Sequence, residues 1–145
     1  MISLSMILLV QLAMVCLFDL RHRIIPNKLN FSIFLNCVTI SILYNNFSFY
    51  ITLYSYLILL ALSVTFFFLK IFGGGDAKFI ISVIPLFNMQ DTFYFVMITS
   101  VLGGLVGVVI LGHAYLQSKP SNHYTVPYGV PLSIAACVVH YNIIP

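Results

Sequence analysis

Apolar residues run along this chain in long uninterrupted stretches, and polar or charged positions fall in short clusters between them. Met1 to Phe18 carries no charge and then meets the cluster Asp19-Leu20-Arg21-His22-Arg23. Leu29 to Leu69 contains no Asp, Glu, Lys or Arg, which leaves room for two membrane spans of about 20 residues each. The polar patch Asn45-Asn46 with Ser48 is the natural turn between them. After Lys70 the apolar pattern breaks at Gly73-Gly74-Gly75-Asp76-Ala77-Lys78. Phe79 to Phe87 is a short apolar run, ended by Asn88-Met89-Gln90-Asp91. Thr92 to Leu116 is a long one, and Val126 to Ile144 closes the chain after the polar stretch from Gln117 to Asn122. The pattern predicts six spans, the fourth being weak unless it starts inside the glycine break.

Composition removes the alternatives. Of the 145 residues 61% are apolar and 6% charged, against about 45–50% and about 25% in average soluble domains. A fold of this size cannot hide so much apolar surface, so a soluble globular domain is excluded. There is far too much to bury for disorder. The chain therefore reads as an all-α polytopic membrane protein whose partner is the lipid bilayer, with residues 1–145 forming a single integral-membrane domain.

Charge placement orients the spans. With six alternating segments, Arg21, Arg23 and Lys28, then Lys70 and Lys78, then Lys119 all fall on one face, as the positive-inside rule requires. Asp91 and the uncharged Asn45-Asn46 turn fall on the other face, and both termini lie outside. A five-span reading would bury Asp91 in mid-helix, at about 2.5–3.5 kcal/mol, and move Lys119 to the wrong face. The first 18 residues have no basic segment before them and no small-x-small cleavage site, so they read as a retained span rather than a signal peptide.

Cys16, Cys37 and Cys137 are isolated within apolar runs and form no CxxC pair, which fits small packing residues and supports neither a zinc site nor a redox motif. His113, His123 and His140 show no ligand spacing, so no metal is expected. Asp91 reads as a solvated acid of an outer loop. There is no internal repeat, low-complexity tract or heptad pattern.

The other two acids are harder to dismiss. Topology does not need carboxylates on the positive face, yet Asp19 and Asp76 both sit there, each where an apolar run meets a loop. Two carboxylates that met at such a boundary could not both ionise easily, so one would hold a proton while the other stayed charged. That is the arrangement with which an aspartic protease activates water and polarises a scissile carbonyl. The alternative is a pair of coincidental loop acids, matched with Arg21 and Lys78. Gly73-Gly74-Gly75 removes Cβ atoms directly before Asp76, letting another backbone approach and permitting φ values that other residues avoid. These glycines lack the GxxxxGK[ST] spacing of a phosphate-binding loop, so nucleotide chemistry has no support and no nucleic-acid partner is expected. Pro26 ends the first loop and starts the second span, with Asn27 as its polar neighbour. Lys78 is accounted for by topology, with tuning of the acid pair or contact with an acidic substrate side chain as its functional reading.

These residues resemble a known family. Asp19-Leu20-Arg21-His22-Arg23-Ile24-Ile25-Pro26-Asn27 is similar to the D-x-R-x-x-x-I-P-N segment after the first span of type IV prepilin peptidases. Gly73-Gly74-Gly75-Asp76-Ala77-Lys78 resembles their GxGD-x-K motif, whose GxGD part is shared with presenilin-type intramembrane proteases. Val126-Pro127-Tyr128-Gly129-Val130 resembles the Pro-Tyr-Gly element that opens the family's last span. The resemblance implies that Asp19 and Asp76 are the two catalytic aspartates of a GxGD aspartic endopeptidase in the bacterial inner membrane. Gly73, Gly75, Lys78, Arg21, Pro26 and Asn27 would support them or bind substrate, with no cofactor. The substrates implied are prepilin or pseudopilin precursors, cut to remove a basic leader at the cytoplasmic edge of the membrane, with pilus-assembly machinery as a further partner.

Two departures matter. Bifunctional members carry an N-terminal segment with paired CxxC motifs and N-methylate the new terminus, whereas this chain begins at its first span and has no CxxC, so methyltransferase activity is not expected. Its size resembles the short peptidase-only members of Flp or tight-adherence systems, with archaeal preflagellin peptidases a second match. Pro131 also stands where the family would place a small residue. Two other classes remain open. A transport or channel subunit would bury an acid in mid-span, and a noncatalytic subunit of a pilus or secretion machine would not require both acids.

Overall fold

The computed structural model describes residues 2–44, 49–69, 73–116 and 127–143. Among these residues there are six helices and no strand: α1 (Ile2–His22), α2 (Asn27–Tyr44), α3 (Phe49–Phe68), α4 (Gly74–Val83), α5 (Met89–Leu116) and α6 (Gly129–Ile143). A 3-10 turn, Ile84–Leu86, follows α4. The expected Asn45-Asn46 turn, Lys70, Lys119 and His123 lie outside the described residues.

Local chemistry sets the helix ends. α1 closes at Arg23, which takes the left-handed conformation (φ 53°) and donates its N–H to the Asp19 carbonyl at 2.9 Å. Pro26 has no N–H to lose at a helix start, and its carbonyl accepts from Leu29 (3.0 Å) and Asn30 (3.2 Å) to open α2. At the start of α5, Asn88 Oδ1 accepts the N–H groups of Gln90 (2.9 Å) and Asp91 (3.0 Å). Asp91 Oδ2 accepts the Asn88 N–H in return, at 3.2 Å. Asp91 is thus one half of a reciprocal helix cap, a structural use beyond that of a solvated loop acid. The cap also starts α5 at Met89, three residues before the expected Thr92.

The weak fourth segment occupies the centre. α4 is 10 residues long, about 15 Å at 1.5 Å per residue, and α2, α3 and α6 pack around it. Phe79, Ile80, Val83, Ile84, Leu86 and Phe87 are each 4% exposed or less. The outer helices show the reverse: Leu17 and Leu20 on α1 and Val108 and Val109 on α5 are more than 60% exposed. Apolar surface turned outward over an inner helix whose apolar residues are mostly buried fits a bundle in lipid. Ser3–His22 and Met89–Ile110 are long and apolar enough to cross a bilayer, while Asn27–Leu43, Tyr56–Phe66 and Gly129–Tyr141 are shorter apolar stretches.

A polar ladder fastens α1 to α2. Gln11 Nε2 donates to Ser32 Oγ at 2.8 Å, and Asn36 Nδ2 donates to Gln11 Oε1 at 3.1 Å and to the Leu4 carbonyl at 3.3 Å. Gln11 and Asn36 are both buried, so either one alone would leave an unsatisfied amide. Asn36→Leu is therefore expected to cost about 1–2 kcal/mol, read as a lower thermal midpoint in detergent. The double variant Gln11→Leu/Asn36→Leu should recover most of that loss, and a double variant at the summed cost would show that the ladder carries no coupling.

Candidate active site

Asp19 reaches the interior by continuing an apolar stripe. Leu8, Leu12, Val15 and Asp19 are all buried, at spacings of four, three and four that put them on one helix face. The left-handed turn at Arg23 then folds the chain back, so that Ile25 buries against the glycine break. A Cβ on Gly75 would lie 3.4 Å from the Ile25 backbone nitrogen, tighter than most side chains tolerate. The sequence led us to expect unusual backbone angles at these glycines, yet none of the described glycines has positive φ, and Gly73 is extended (φ −73°, ψ 158°). Close approach, the second expectation, is seen here, with the Ile25 backbone at the edge of contact with Gly75.

Asp76 lies in the first turn of α4, outside the apolar stretches. Its Oδ2 accepts the N–H of Gly73 at 3.1 Å, and Gly73 caps the helix in turn by accepting from Asp76 (3.1 Å) and Ala77 (3.3 Å). Burial pushes the Asp76 carboxyl up to about 6; the Gly73 N–H opposes that shift and the charge of Asp19 adds to it. The two acids therefore sense each other.

They also share one cavity of about 570 Å³, lined in addition by Arg23, Pro26, Asn27 and Lys78. Lys78 Nζ donates to Asn27 Oδ1 at 2.9 Å, so the two acidic motifs are tied together by their own polar residues, and Lys78 is not matched with an acid. Arg21 is exposed and stands off the cavity wall; Arg23 is the cation whose charge faces Asp19. Gly73 and Gly75 line the cavity beside Asp76. His140 is buried with neither ring nitrogen hydrogen-bonded, and no group of three or more His, Cys, Asp or Glu side chains gathers among the described residues.

The start of α6 also belongs to the site, although sequence reasoning did not connect it to Asp19. A Cβ built on Gly129 would sit 2.8 Å from both Cγ and Oδ2 of Asp19, closer than any real contact. The N–H groups of Gly129 and Val130 face the Asp19 carboxyl. Asp19 Oδ2 itself is buried with no hydrogen-bond partner among the described residues. Tyr128 is seated over Gly103 of α5, where a Cβ would come within 2.8 Å of its ring. Ser133, one turn on, donates to the Gly129 carbonyl at 2.7 Å and contacts Cys16 Sγ on α1. Cys16 thus adds a polar contact to its packing role. The Pro-Tyr-Gly element was the available signal, but only the fold shows which carboxylate its glycine meets.

Two buried carboxylates that hinder each other's ionisation, open to a cavity large enough for a peptide segment, can activate water between them. Comparison with curated proteins and with solved structures gives no match. Residues 6–108 match the model of the type IV leader peptidase family, a stretch that holds both acidic motifs and ends before α6, and the chain belongs to that family of peptidases.

Proposed function

We propose that this chain is a membrane-embedded aspartic endopeptidase that removes the basic leader from type IV prepilin-like precursors, of the Flp class, at the cytoplasmic face of the bacterial inner membrane. The observation that carries this reading is the meeting of Asp19 and Asp76 on one cavity, from motifs more than fifty residues apart in sequence. Six alternating spans with both termini outside fit the same geometry. The end of α1 and the starts of α2, α4 and α6 gather at the site, and the basic residues Arg21, Arg23, Lys28 and Lys78 cluster at that end. A substrate helix lying in the bilayer would present its cytoplasmic end at this level, and local unwinding would expose the scissile bond to the acid pair. One carboxylate takes a proton from water while the protonated partner donates to the scissile carbonyl. Nothing in the chain's cysteine pattern supports a methyl-transfer step.

Asp19→Asn and Asp76→Asn are each expected to abolish leader removal from a co-expressed prepilin, by more than a hundredfold on immunoblots, while membrane insertion is retained. Full processing by either variant would refute the acid pair. Activity should persist in EDTA, and a loss reversed by zinc would replace this mechanism with a metal-dependent one. Because the proton on Asp76 is lost as pH rises through about 6, kcat/KM on a leader-containing peptide should decline on the alkaline side of that value. A profile still rising at pH 8 would contradict Asp76 as the proton-bearing member.

A further inference from the structure

The two acids meet different backbone. Asp76 lies within its own helix's first turn and accepts a hydrogen bond from Gly73. Asp19 lies at the end of α1, where a second helix is aimed at it: α6, 15 residues long, begins against its carboxyl group. The contact is tight, since Gly129 leaves no room for a Cβ beside Asp19 Cγ and Oδ2. The Asp19 side chain is 4% exposed, and Oδ2 has no hydrogen-bond partner among the described residues. A helix N-terminus presents unpaired N–H groups and the positive end of the helix dipole, so it favours an anion. Burial by itself disfavours a charged carboxylate at Asp19, and the N–H groups of Gly129 and Val130 work against that effect.

We infer that the N-terminus of α6 is a positioning device that holds Asp19 as the ionised member of the pair, making Asp19 the base and Asp76 the acid. The inference rests on the peptidase reading above and assigns the roles within it. The Asp19 carboxylate takes a proton from water as the water oxygen bonds to the scissile carbonyl carbon, and Asp76 gives its proton to the carbonyl oxygen. Collapse of the resulting diol breaks the carbon–nitrogen bond. The departing nitrogen takes the proton from Asp19, and a diol hydroxyl returns one to Asp76, so both acids end as they began. Gly129 and Val130 act through Asp19 and do not touch substrate.

Tyr128, the residue before α6, packs its ring over Gly103 of α5. The charged groups facing Asp19 are Arg23, from the turn after α1, and Asp76, from α4, with Lys78 on the same cavity. The first turn of α6, Gly-Val-Pro-Leu-Ser, adds no charged side chain, so its effect comes through backbone alone.

Val130→Pro removes one facing N–H at a helix position where proline breaks no intrahelical bond. The proposal expects kcat to fall about tenfold, equal to about 1.4 kcal/mol of barrier, with KM within about twofold. It also expects the acid limb of the kcat/KM profile to move up by about half a pH unit or more, since the anion of Asp19 loses a donor. Gly129→Ala, which forces Asp19 away from α6, should show the same two changes and carries the test if the proline variant does not fold. Gly107→Ala on α5, where a Cβ meets nothing within 4 Å, should keep the wild-type rate and profile. Wild-type kcat and an unmoved acid limb in folded Val130→Pro or Gly129→Ala would overturn the inference while leaving the peptidase reading intact. So would a fall in rate with no movement of that limb, because a merely structural defect lowers the active fraction without changing its titration. An unprocessed prepilin with the wild-type chain would instead overturn both.

Discussion

The enclosure of α4 is the constraint on which the rest of this structure depends. A helix of 10 residues is about half the hydrocarbon thickness of a bilayer. Its apolar side chains Phe79, Ile80 and Val83 are buried by protein, with α2, α3 and α6 packed around them. That arrangement carries the glycine break to a place where the ends of other helices meet it. Asp76 consequently loses solvent, and the end of α1 is drawn close enough for the Asp19 charge to bear on it. The raised affinity of Asp76 for a proton is thus a result of packing, produced by short length and close neighbours.

Glycine serves this end of the bundle by absence of bulk. Gly75 lets the Ile25 backbone come in, Gly129 lets α6 start against Asp19, and Gly103 receives the Tyr128 ring. At Gly129 and Gly103 the neighbouring side chain approaches closer than a methyl group allows, and at Gly75 a backbone comes to the edge of contact. Such close contacts hold the groups in place, because the glycine side has no side chain that could make way. A two-carboxylate site needs that rigidity, since an acid pair works only while both groups face the same small volume. The polar side chains along the inner helix faces extend the same economy: Gln11, Ser32 and Asn36 satisfy one another, and Lys78 is held by Asn27.

Several of these features could be read from residues in order. Six apolar stretches became six helices, with starts displaced by about one turn where Asn88 and Asp91 form a cap or where α6 waits until Gly129. Asp19 and Asp76 stood out because acids are scarce in the chain and topology has no use for them on the basic face. Pro26 as a helix start followed from its missing N–H. The assignment of charge around the pair did not follow. Arg21 occupies the motif position, yet the left-handed turn at Arg23 points that residue, two places on, toward the cavity. Nor could spacing reveal that Lys78 would turn to Asn27, more than fifty residues away in sequence.

By itself, then, the sequence determined the class of protein, the number and sidedness expected of its spans, and the two acids worth attention. Those properties are local: hydropathy, charge and the loss of a Cβ or an N–H act wherever they stand. The tertiary structure decided which groups those acids face. Only packing buries the apolar side chains of so short a helix, brings Asp19 and Asp76 to one cavity and starts α6 against Asp19. The field at a buried carboxylate comes from whatever lies within a few ångströms of it, and at Asp19 that includes a glycine and a valine more than a hundred residues further along the chain.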